Sequence, residues 1–248
     1  MHIFTGDKRV GKSFILRNLS FLLSKNNKKI ALIDLNNNND LFDFFKVNSC
    51  NELPNDASKS LYENLICILE KPLFCYKNID IYTSNKYLDD GDFFSIFDFY
   101  EEFKSNYDYV FIDCSLRSFK KLFEFKNIAF KNQDFKFFAN LILDQRVVTD
   151  ELKEISLFKN FDSIIFNKYL NSRFDDEKLL NMLNLNDYDL SKIFYINYDL
   201  SNEQEDLNNY FKNKELKNFD KDLKNQLSTY ADNFLGFKIQ KKSFFNIL

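Results

Sequence analysis

Eight residues near the start of the chain constrain its fold more than any other stretch. Gly6, Gly11, Lys12 and Ser13 stand in the order G-x-x-x-x-G-K-[ST] within the sequence GDKRVGKS. The apolar stretch HIFT precedes them, and the following segment, 12–25, repeats apolar residues at helical spacing. A loop between a strand and a helix directs backbone N–H groups and the positive end of the helix dipole at an anion. The pattern therefore predicts a phosphate-binding loop.

Apolar segments of strand length recur along the rest of the chain. They occupy residues 2–5, 28–36, 78–85, 107–115, 137–144, 162–169 and 192–199. Helical patterns, such as residues 92–105, lie between them, and this alternation favours an α/β fold with a parallel sheet. No segment rich in Gly, Pro or Ser divides the chain. We predict a single P-loop NTPase domain, residues 1–234, with a mostly parallel twisted sheet and helices on both faces, followed by a tail, residues 235–248.

The composition argues against several classes of function. The formal net charge is -3, with 34 basic and 37 acidic residues, so nucleic acid is not an expected partner. Four cysteines form no C-x-x-C pair and there is a single histidine, which leaves little for a zinc site or a Cys-His catalytic pair. No apolar run approaches the roughly 20 residues of a membrane-spanning helix. We therefore expect a cytoplasmic protein.

An acidic residue far along the chain complements the loop motif. Lys12 is expected to reach the β- and γ-phosphates of a nucleotide, and the Ser13 hydroxyl to ligate Mg²⁺. Asp113 ends an apolar strand one hundred residues later, where a second acid of the Mg²⁺ shell belongs. Loop, helix and strand-terminal acid together predict a nucleotide site with Mg²⁺.

These motifs, in their order along nearly the whole chain, resemble the MinD/ParA group of P-loop ATPases, which carry a deviant Walker A motif, and most closely its MinD/FlhG branch. The loop of that group reads G-K-G-G-V-G-K-[ST], of which this chain keeps Gly6, Val10, Gly11, Lys12 and Ser13. ALIDLNNNNDLFDFF is similar to its switch I region, YDYVFIDCS to its Walker B strand, and IIFNKYLNSRF to the strand that ends in an adenine-binding asparagine. The resemblance implies ATP and ADP as ligands, together with Mg²⁺.

The resemblance also implies roles for individual residues. Asn167 corresponds to the adenine-binding asparagine, and Lys8, Arg9 and Phe14 join the conserved loop positions as nucleotide contacts. The implied Mg²⁺ ligands are Ser13, Asp34 and Asp113. The catalytic residues implied by the resemblance are Lys12, Asp34 and Asn36.

The chain departs from the family pattern at two places. The signature lysine of the family, which reaches the phosphates of the partner subunit in an ATP-bound dimer, is Asp7 here, and Lys8 or Arg9 is the candidate for the missing cation. Asn36 stands where the family has the second acid of D-x-D, and an amide can hydrogen-bond a water molecule but cannot accept its proton. We therefore expect slow ATP hydrolysis. Two explanations for the replacement of the acid by Asn36 are equally consistent with the sequence: compositional drift in an Asn-rich run, and selection for a long-lived ATP state.

The last residues, NFLGFKIQKKSFFNIL, predict an amphipathic helix. Its apolar sector contains Phe234, Phe237, Phe244, Phe245, Ile247 and Leu248, and its flanks carry lysines such as Lys238 and Lys242. A basic amphipathic segment of this kind lies in membrane interfaces, and the tail is similar to the membrane-targeting tail of MinD-type proteins. Packing on the protein's own surface or on a partner is the alternative.

Together these features predict a MinD/FlhG-like switch. It would form a homodimer when nucleotide binds, associate with the inner membrane face through its tail, and position a division site or a flagellum under the control of a regulatory protein. The alternatives are a nucleotide-binding scaffold that does not hydrolyse ATP, and a ParA-like partition ATPase on DNA, which the acidic charge balance disfavours.

Overall fold

A computed structural model describes residues 1–36, 41, 74–83, 96–97, 100–101, 104–129, 137–144, 161–169, 180–181, 188–197 and 221–237. These residues form one sheet with helices on both faces. The strands are β1 (His2–Thr5), β2 (Ile30–Asp34), β3 (Phe74–Tyr76), β4 (Ile79–Thr83), β5 (Tyr109–Asp113), β6 (Phe138–Asp144), β7 (Ser163–Tyr169) and β8 (Ile193–Asn197). The helices are α1 (Lys12–Lys25), α2 (Leu116–Ala129) and α3 (Lys221–Phe234), with a 3-10 turn at Leu190–Lys192.

The sheet has the strand order β3-β4-β2-β5-β1-β6-β7-β8. All neighbouring strands run parallel except β3 and β4, which pair antiparallel at one edge. Every strand predicted from the apolar runs is present, and the mostly parallel α/β fold is confirmed. Of the predicted helix 92–105, the described residues Ile96, Phe97, Tyr100 and Glu101 are helical, whereas Lys104 and Ser105 lie in a turn.

Strand β3 was not predicted. It has only three residues, and the turn that joins it to β4 contains Lys77 and Asn78. Lys77 adopts the left-handed backbone, with φ of 58°, at a position where hairpins usually carry Gly or Asn. The usual sequence signal of a hairpin is therefore missing.

The core consists of two apolar layers, one on each face of the sheet. Successive strand residues point to opposite faces, so Ile3 and Ile112 pack in the layer that contains Phe119 of α2, whereas Phe4 and Phe111 pack in the layer beneath α1 and α3. The prediction that helices cover both faces is confirmed. Because both faces are covered, the central strands bury apolar residues at nearly every position.

The order of the strands determines where a ligand site lies. β1 lies between β5 and β6, and its carboxyl end meets that of β5, where Phe4 pairs with Asp113. In the same way Asp34, at the end of β2, pairs with Asp113. Ligands of open α/β sheets bind outside the carboxyl ends of the strands. The loop that follows β1 and the two strand-terminal acids therefore share one edge of the sheet.

Candidate nucleotide-binding site

The two glycines of the loop lie where no side chain fits. A Cβ atom at Gly6 would lie 2.2 Å from the main-chain oxygen of Ile142 on β6, so the loop crosses the sheet edge at backbone contact distance. Gly11 precedes α1 with φ of 90°, and a Cβ there would lie 2.2 Å from the side-chain nitrogen of Asn167. Glycine is thus required at both ends of the loop for steric reasons.

The loop closes around the side chain of Lys12. Its ammonium donates hydrogen bonds to the main-chain oxygens of Gly6, at 3.1 Å, and Asp7, at 2.8 Å. Lys12 is buried, and it begins α1 directly after Gly11. The cation and the amino end of the helix thus lie at the same place, which is the arrangement that favours an anionic phosphate.

Asn167, at the end of β7, holds the loop from the other side. Its side-chain nitrogen donates a hydrogen bond of 2.7 Å to the main-chain oxygen of Val10, and the residue is buried. Its side-chain oxygen is buried and has no hydrogen-bond partner among the described residues. That oxygen is an acceptor of the kind that binds an exocyclic amine, so the side chain fits adenine. Adenine binding remains a prediction, whereas the tether to Val10 was not predicted.

The three predicted metal ligands lie together at the edge of the sheet. The Ser13 hydroxyl donates a hydrogen bond of 2.7 Å to a carboxylate oxygen of Asp113, and Asp34 lies beside Asp113 on the adjacent strand. Burial and the neighbouring charge of Asp113 raise the pKa of Asp34 to about 8, against the opposing effect of hydrogen bonds from Asn36 and Leu41. Two buried carboxyl groups at paired positions of adjacent strands are a site that a divalent cation would stabilise.

The oxygen donors at this edge are of the kind that binds Mg²⁺. In the part of the chain that the structure describes, no group of three or more His, Cys, Asp or Glu side chains is arranged to hold a metal ion. Mg²⁺ is usually bound through one or two carboxylates, with water and substrate phosphates completing its shell. Ser13 and Asp113 would hold the ion, and Asp34 would support it. The cation would neutralise the phosphate charge.

Asn36 has a structural partner that the sequence did not indicate. Its main-chain nitrogen and its side-chain nitrogen both donate to the same oxygen of Asp34, at 2.9 and 3.1 Å. The amide of Leu41 donates to the other oxygen at 3.2 Å. The side chain of Asn36 is therefore directed at a buried carboxylate. An aspartate at this position would lose the side-chain donor and place a carboxylate against Asp34.

The residues that replace the signature motif differ in their surroundings. One carboxylate oxygen of Asp7 accepts a hydrogen bond of 2.6 Å from the main-chain nitrogen of Lys8. Lys8 and Arg9 are exposed, and Arg9 adopts φ of 64°. Phe14 is half-buried against the core layer beneath α1, and the guanidinium of Arg17 lies 5.3 Å from its ring centroid. The structure thus places Phe14 in the packing of α1.

Cys114 follows Asp113 directly, and its thiol is expected to be unreactive. It is fully buried, and its sulfur lies 3.7 Å from the main-chain oxygen of Phe4 as a hydrogen-bond donor. Burial is the main reason that its pKa is raised, with the charge of Asp113 acting in the same direction. A buried, protonated thiol is a poor nucleophile, so Cys114 contributes to packing.

The start of the predicted tail packs on the domain. Leu235 is buried, and Phe234 and Phe237 are half-buried against the core layer of α1 and α3. The ring of Phe237 meets that of Tyr109 edge-on at 6.4 Å, and the Lys28 ammonium lies 5.8 Å from its centroid. For these residues the structure shows packing on the protein's own surface.

The remaining tail predictions concern residues 238–248, which lie outside the described residues. Within the described ranges no helix has the length and apolar character needed to cross a membrane.

The fold has clear relatives among solved structures, although sequence comparison finds none. No protein-family model and no curated protein matches the chain. A putative plasmid partition protein from Borrelia burgdorferi, solved bound to AMPPNP, is similar with a TM-score of 0.66 and 19% identity, over 95% of this chain and 98% of that chain. The septum site-determining protein MinD of Pyrococcus horikoshii, complexed with Mg-ADP, is similar with a TM-score of 0.60 and 17% identity, over 97% and 100% of the two chains.

A third relative was solved in a complex. It is the MinC:MinD cell division protein complex of Aquifex aeolicus, with a TM-score of 0.61 and 13% identity over 96% of this chain and 98% of that chain. At these identities the likeness establishes the fold, and the loop, the strand-terminal acids and the tethering asparagine lie on that fold where the sequence placed them. The chain has the fold of the MinD/ParA P-loop ATPases.

Proposed function

We propose that this protein is a nucleotide-controlled switch that binds ATP and ADP with Mg²⁺ through the loop 6–13. The observation that supports this most strongly is the hydrogen bond between Ser13 and Asp113, which are one hundred residues apart. This contact joins the helix that follows the loop to the acid at the end of β5. A core that only needed packing has no reason to bring a hydroxyl together with two buried acids at this edge.

Each part of the site has a distinct task in this proposal. The main-chain N–H groups of the loop and the Lys12 ammonium bind the phosphates. Ser13 and Asp113 hold Mg²⁺, and the free oxygen of the Asn167 side chain accepts a hydrogen bond from adenine. The solved relatives with AMPPNP and with Mg-ADP support this assignment by analogy of fold.

Slow turnover follows from the surroundings of Asn36. A general base must accept a proton, and the amide of Asn36 cannot do so; its side chain is also directed at Asp34. We therefore propose that the ATP-bound state is long-lived. This observation equally favours the second candidate function, a scaffold that binds nucleotide and does not hydrolyse it.

The proposed output of the switch is a homodimer that forms with ATP and recruits a regulatory protein. Relatives of the same fold include a plasmid partition protein, a septum site-determining protein and a MinC:MinD complex. By analogy we propose a role in positioning a cellular structure, with residues 238–248 as a membrane-associating segment at the inner membrane face. The packing of Leu235 and Phe237 would fix the root of that segment to the domain.

The dimer is tested by size-exclusion chromatography with light scattering, in Mg-ATP and in Mg-ADP. We expect ATP to shift the wild type toward twice its monomer mass and to leave Lys12→Ala monomeric. Lys224→Ala, which removes an exposed lysine on α3, is the control and should behave as the wild type does. Equal elution of the wild type in both nucleotides would reject the switch.

Turnover and localisation need separate assays. Phosphate release that rises with anionic vesicles supports the switch, whereas nucleotide binding without release supports the scaffold. Salt-sensitive retardation of DNA would favour the ParA-like alternative.

A further inference from the structure

A cavity of about 280 Å³ lies at the amino ends of β1 and β5, at the end of the sheet opposite the phosphate loop. Its wall includes His2 at the start of β1, Tyr109 at the start of β5 and Leu235 directly after α3. Strand β1 has four residues, and at about 3.3 Å each they separate the cavity from the loop by about 13 Å. The volume is near the lower end of the range for small-molecule sites, about 300–1,000 Å³. The cavity and the nucleotide site therefore lie at opposite ends of β1.

His2 contributes a buried hydrogen-bonding group to the wall. The residue is 8% exposed, and its Nδ1 has no hydrogen-bond partner in the part of the chain that the structure describes. The ring stacks on Phe138 of β6 at a centroid distance of 4.7 Å and meets Phe111 of β5 edge-on at 5.9 Å. Burial is the main reason that its pKa is lowered to about 3, so the imidazole is neutral at neutral pH. A neutral imidazole offers one donor and one acceptor nitrogen, and a ligand that carries both can pair with either tautomer.

Tyrosine rings form a second part of the wall, and contacts with neighbouring groups hold them in place. The Tyr107 hydroxyl donates a hydrogen bond of 2.8 Å to a carboxylate oxygen of the buried Asp80, and it is also hydrogen-bonded to the Tyr82 hydroxyl. The ring of Tyr109 stacks on Phe111 with the centroids 5.8 Å apart. Rings that are fixed before a ligand binds lose little freedom on binding, which favours affinity. Their flat faces favour a ligand that is also a flat ring.

The charged groups of the wall already have partners or are neutral. The Lys104 ammonium lies 2.7 Å from a carboxylate oxygen of Glu101, and that of Lys28 lies 2.8 Å from a carboxylate oxygen of Asp108. Burial lowers the pKa of the Met1 amino group to about 5, so this group is uncharged at neutral pH. A charged ligand would lose its hydration here without gaining a free counter-ion, which is unfavourable. The wall therefore favours an uncharged ligand.

We propose that this cavity binds a small uncharged heteroaromatic molecule, which packs on the tyrosine rings of the wall and forms a hydrogen bond with His2. The ligand belongs to the class of flat, neutral rings that carry both a donor and an acceptor nitrogen, as nucleobases and benzimidazoles do. This second site does not depend on the proposed function, because it shares no residue with the phosphate loop or the two strand-terminal acids.

The single histidine of the chain allows a direct test by nuclear magnetic resonance. In untagged protein with an isotope-labelled histidine ring, the one imidazole signal reports on the wall of the cavity. The test ligand is benzimidazole at neutral pH, with benzoate as the charged control and cyclohexanol as the non-aromatic control. We expect benzimidazole alone to shift the His2 signal in a saturable way. The same shift is expected in saturating Mg-ADP and in Lys12→Ala.

Isothermal titration calorimetry with benzimidazole compares the wild type with two variants. His2→Phe retains a ring that can stack on Phe138 and removes both nitrogens. Tyr188→Phe is the matched control, because it removes a hydrogen bond of 3.1 Å to the main-chain oxygen of Phe161, which is not part of the cavity wall. Thermal unfolding shows that each variant is folded. We expect His2→Phe to weaken binding about 3-fold to 10-fold, the range of a lost neutral hydrogen bond, and Tyr188→Phe to match the wild type.

Three results would overturn the inference. They are an unchanged His2 signal at saturating benzimidazole, an equal shift with benzoate or cyclohexanol, and equal affinity of His2→Phe and the wild type. If Mg-ADP or Lys12→Ala abolishes the benzimidazole shift, the ligand occupies the nucleotide site, so the second site is wrong while the proposed function stands. Benzimidazole binding by a wild type that binds neither nucleotide would support the second site and reject the proposed function.

Discussion

Gly11 and Asn167 lie so close together that substitutions at the two positions should not be independent. A methyl group at Gly11 would lie 2.2 Å from the side-chain nitrogen of Asn167, the same nitrogen that donates to the main-chain oxygen of Val10. Gly11→Ala should therefore displace the Asn167 side chain and break the tether that holds the loop.

The size of the effect follows from three contributions. Alanine at φ of 90° costs about 1–2 kcal/mol in backbone strain, and the steric overlap adds about 1–3 kcal/mol. Asn167→Ala leaves the buried oxygen of Val10 without its donor, which costs about 1–3 kcal/mol. In the double variant no Asn167 side chain opposes the new methyl group, so the contribution of the steric overlap disappears. We expect the double variant to be more stable than the sum of the single effects predicts, by about 1–3 kcal/mol.

Urea unfolding of the wild type, the two single variants and the double variant measures this coupling. Gly236→Ala is a control for the backbone cost alone, because Gly236 has φ of 65° and a Cβ there meets no atom within 4 Å. Its destabilisation should be about 1–2 kcal/mol, less than that of Gly11→Ala. If the Gly11 and Asn167 effects add within about 0.5 kcal/mol, the close contact between loop and β7 is wrong.

Three further predictions concern Asp34, its neighbour Asn36, and Phe237 at the start of the tail. Without Mg²⁺, burial and the charge of Asp113 raise the pKa of Asp34 to about 8, well above the ordinary 3.8 of an aspartate. The folded state therefore binds this proton more tightly than the unfolded state does, so its stabilising effect is complete below about pH 4 and is lost as the pH rises through about 8. Thermal melting in EDTA from pH 5 to 8 should show this decline, and Asp34→Asn should flatten it; equal slopes would refute the assignment. Asn36→Asp should lower the Mg²⁺-free melting temperature, because it places a carboxylate against Asp34 and removes a hydrogen bond worth about 1.5–3 kcal/mol; an unchanged melting temperature would contradict the contact. Phe237→Ala should destabilise the domain by about 1–2 kcal/mol in urea unfolding, as expected for a half-buried aromatic ring, whereas Phe237 free of the domain would give no change.

The sheet and the loop could be predicted because their signals are local. An apolar run marks a covered parallel strand wherever its neighbours lie, and Gly6, Gly11, Lys12 and Ser13 mark the loop through their own spacing. Asp113 was identified because it ends such a run. Strand β3 was missed because three residues carry no pattern and its turn lacks glycine.

The contacts that complete the site could not be predicted from the sequence. The bond from Asn167 to Val10 spans 157 residues and ends on a main-chain oxygen, which every residue type has. The hydrogen bond from Leu41 to Asp34 likewise involves a main-chain group, here the N–H, so the identity of Leu41 does not reveal it. For Phe237, an amphipathic pattern shows that one face is apolar, but it does not distinguish lipid from protein as the surface that covers the face.

Isothermal titration calorimetry of the wild type and of Lys12→Ala with Mg-ATP tests the proposed nucleotide site most directly. Lys12 is the side chain that the loop encloses and that would meet the phosphates, so its loss should remove binding while the fold remains intact by circular dichroism. We expect saturable binding of one nucleotide per chain for the wild type and no measurable heat of binding for the variant. Absence of heat from the wild type with both ATP and ADP, or equal affinity in the two proteins, would contradict it.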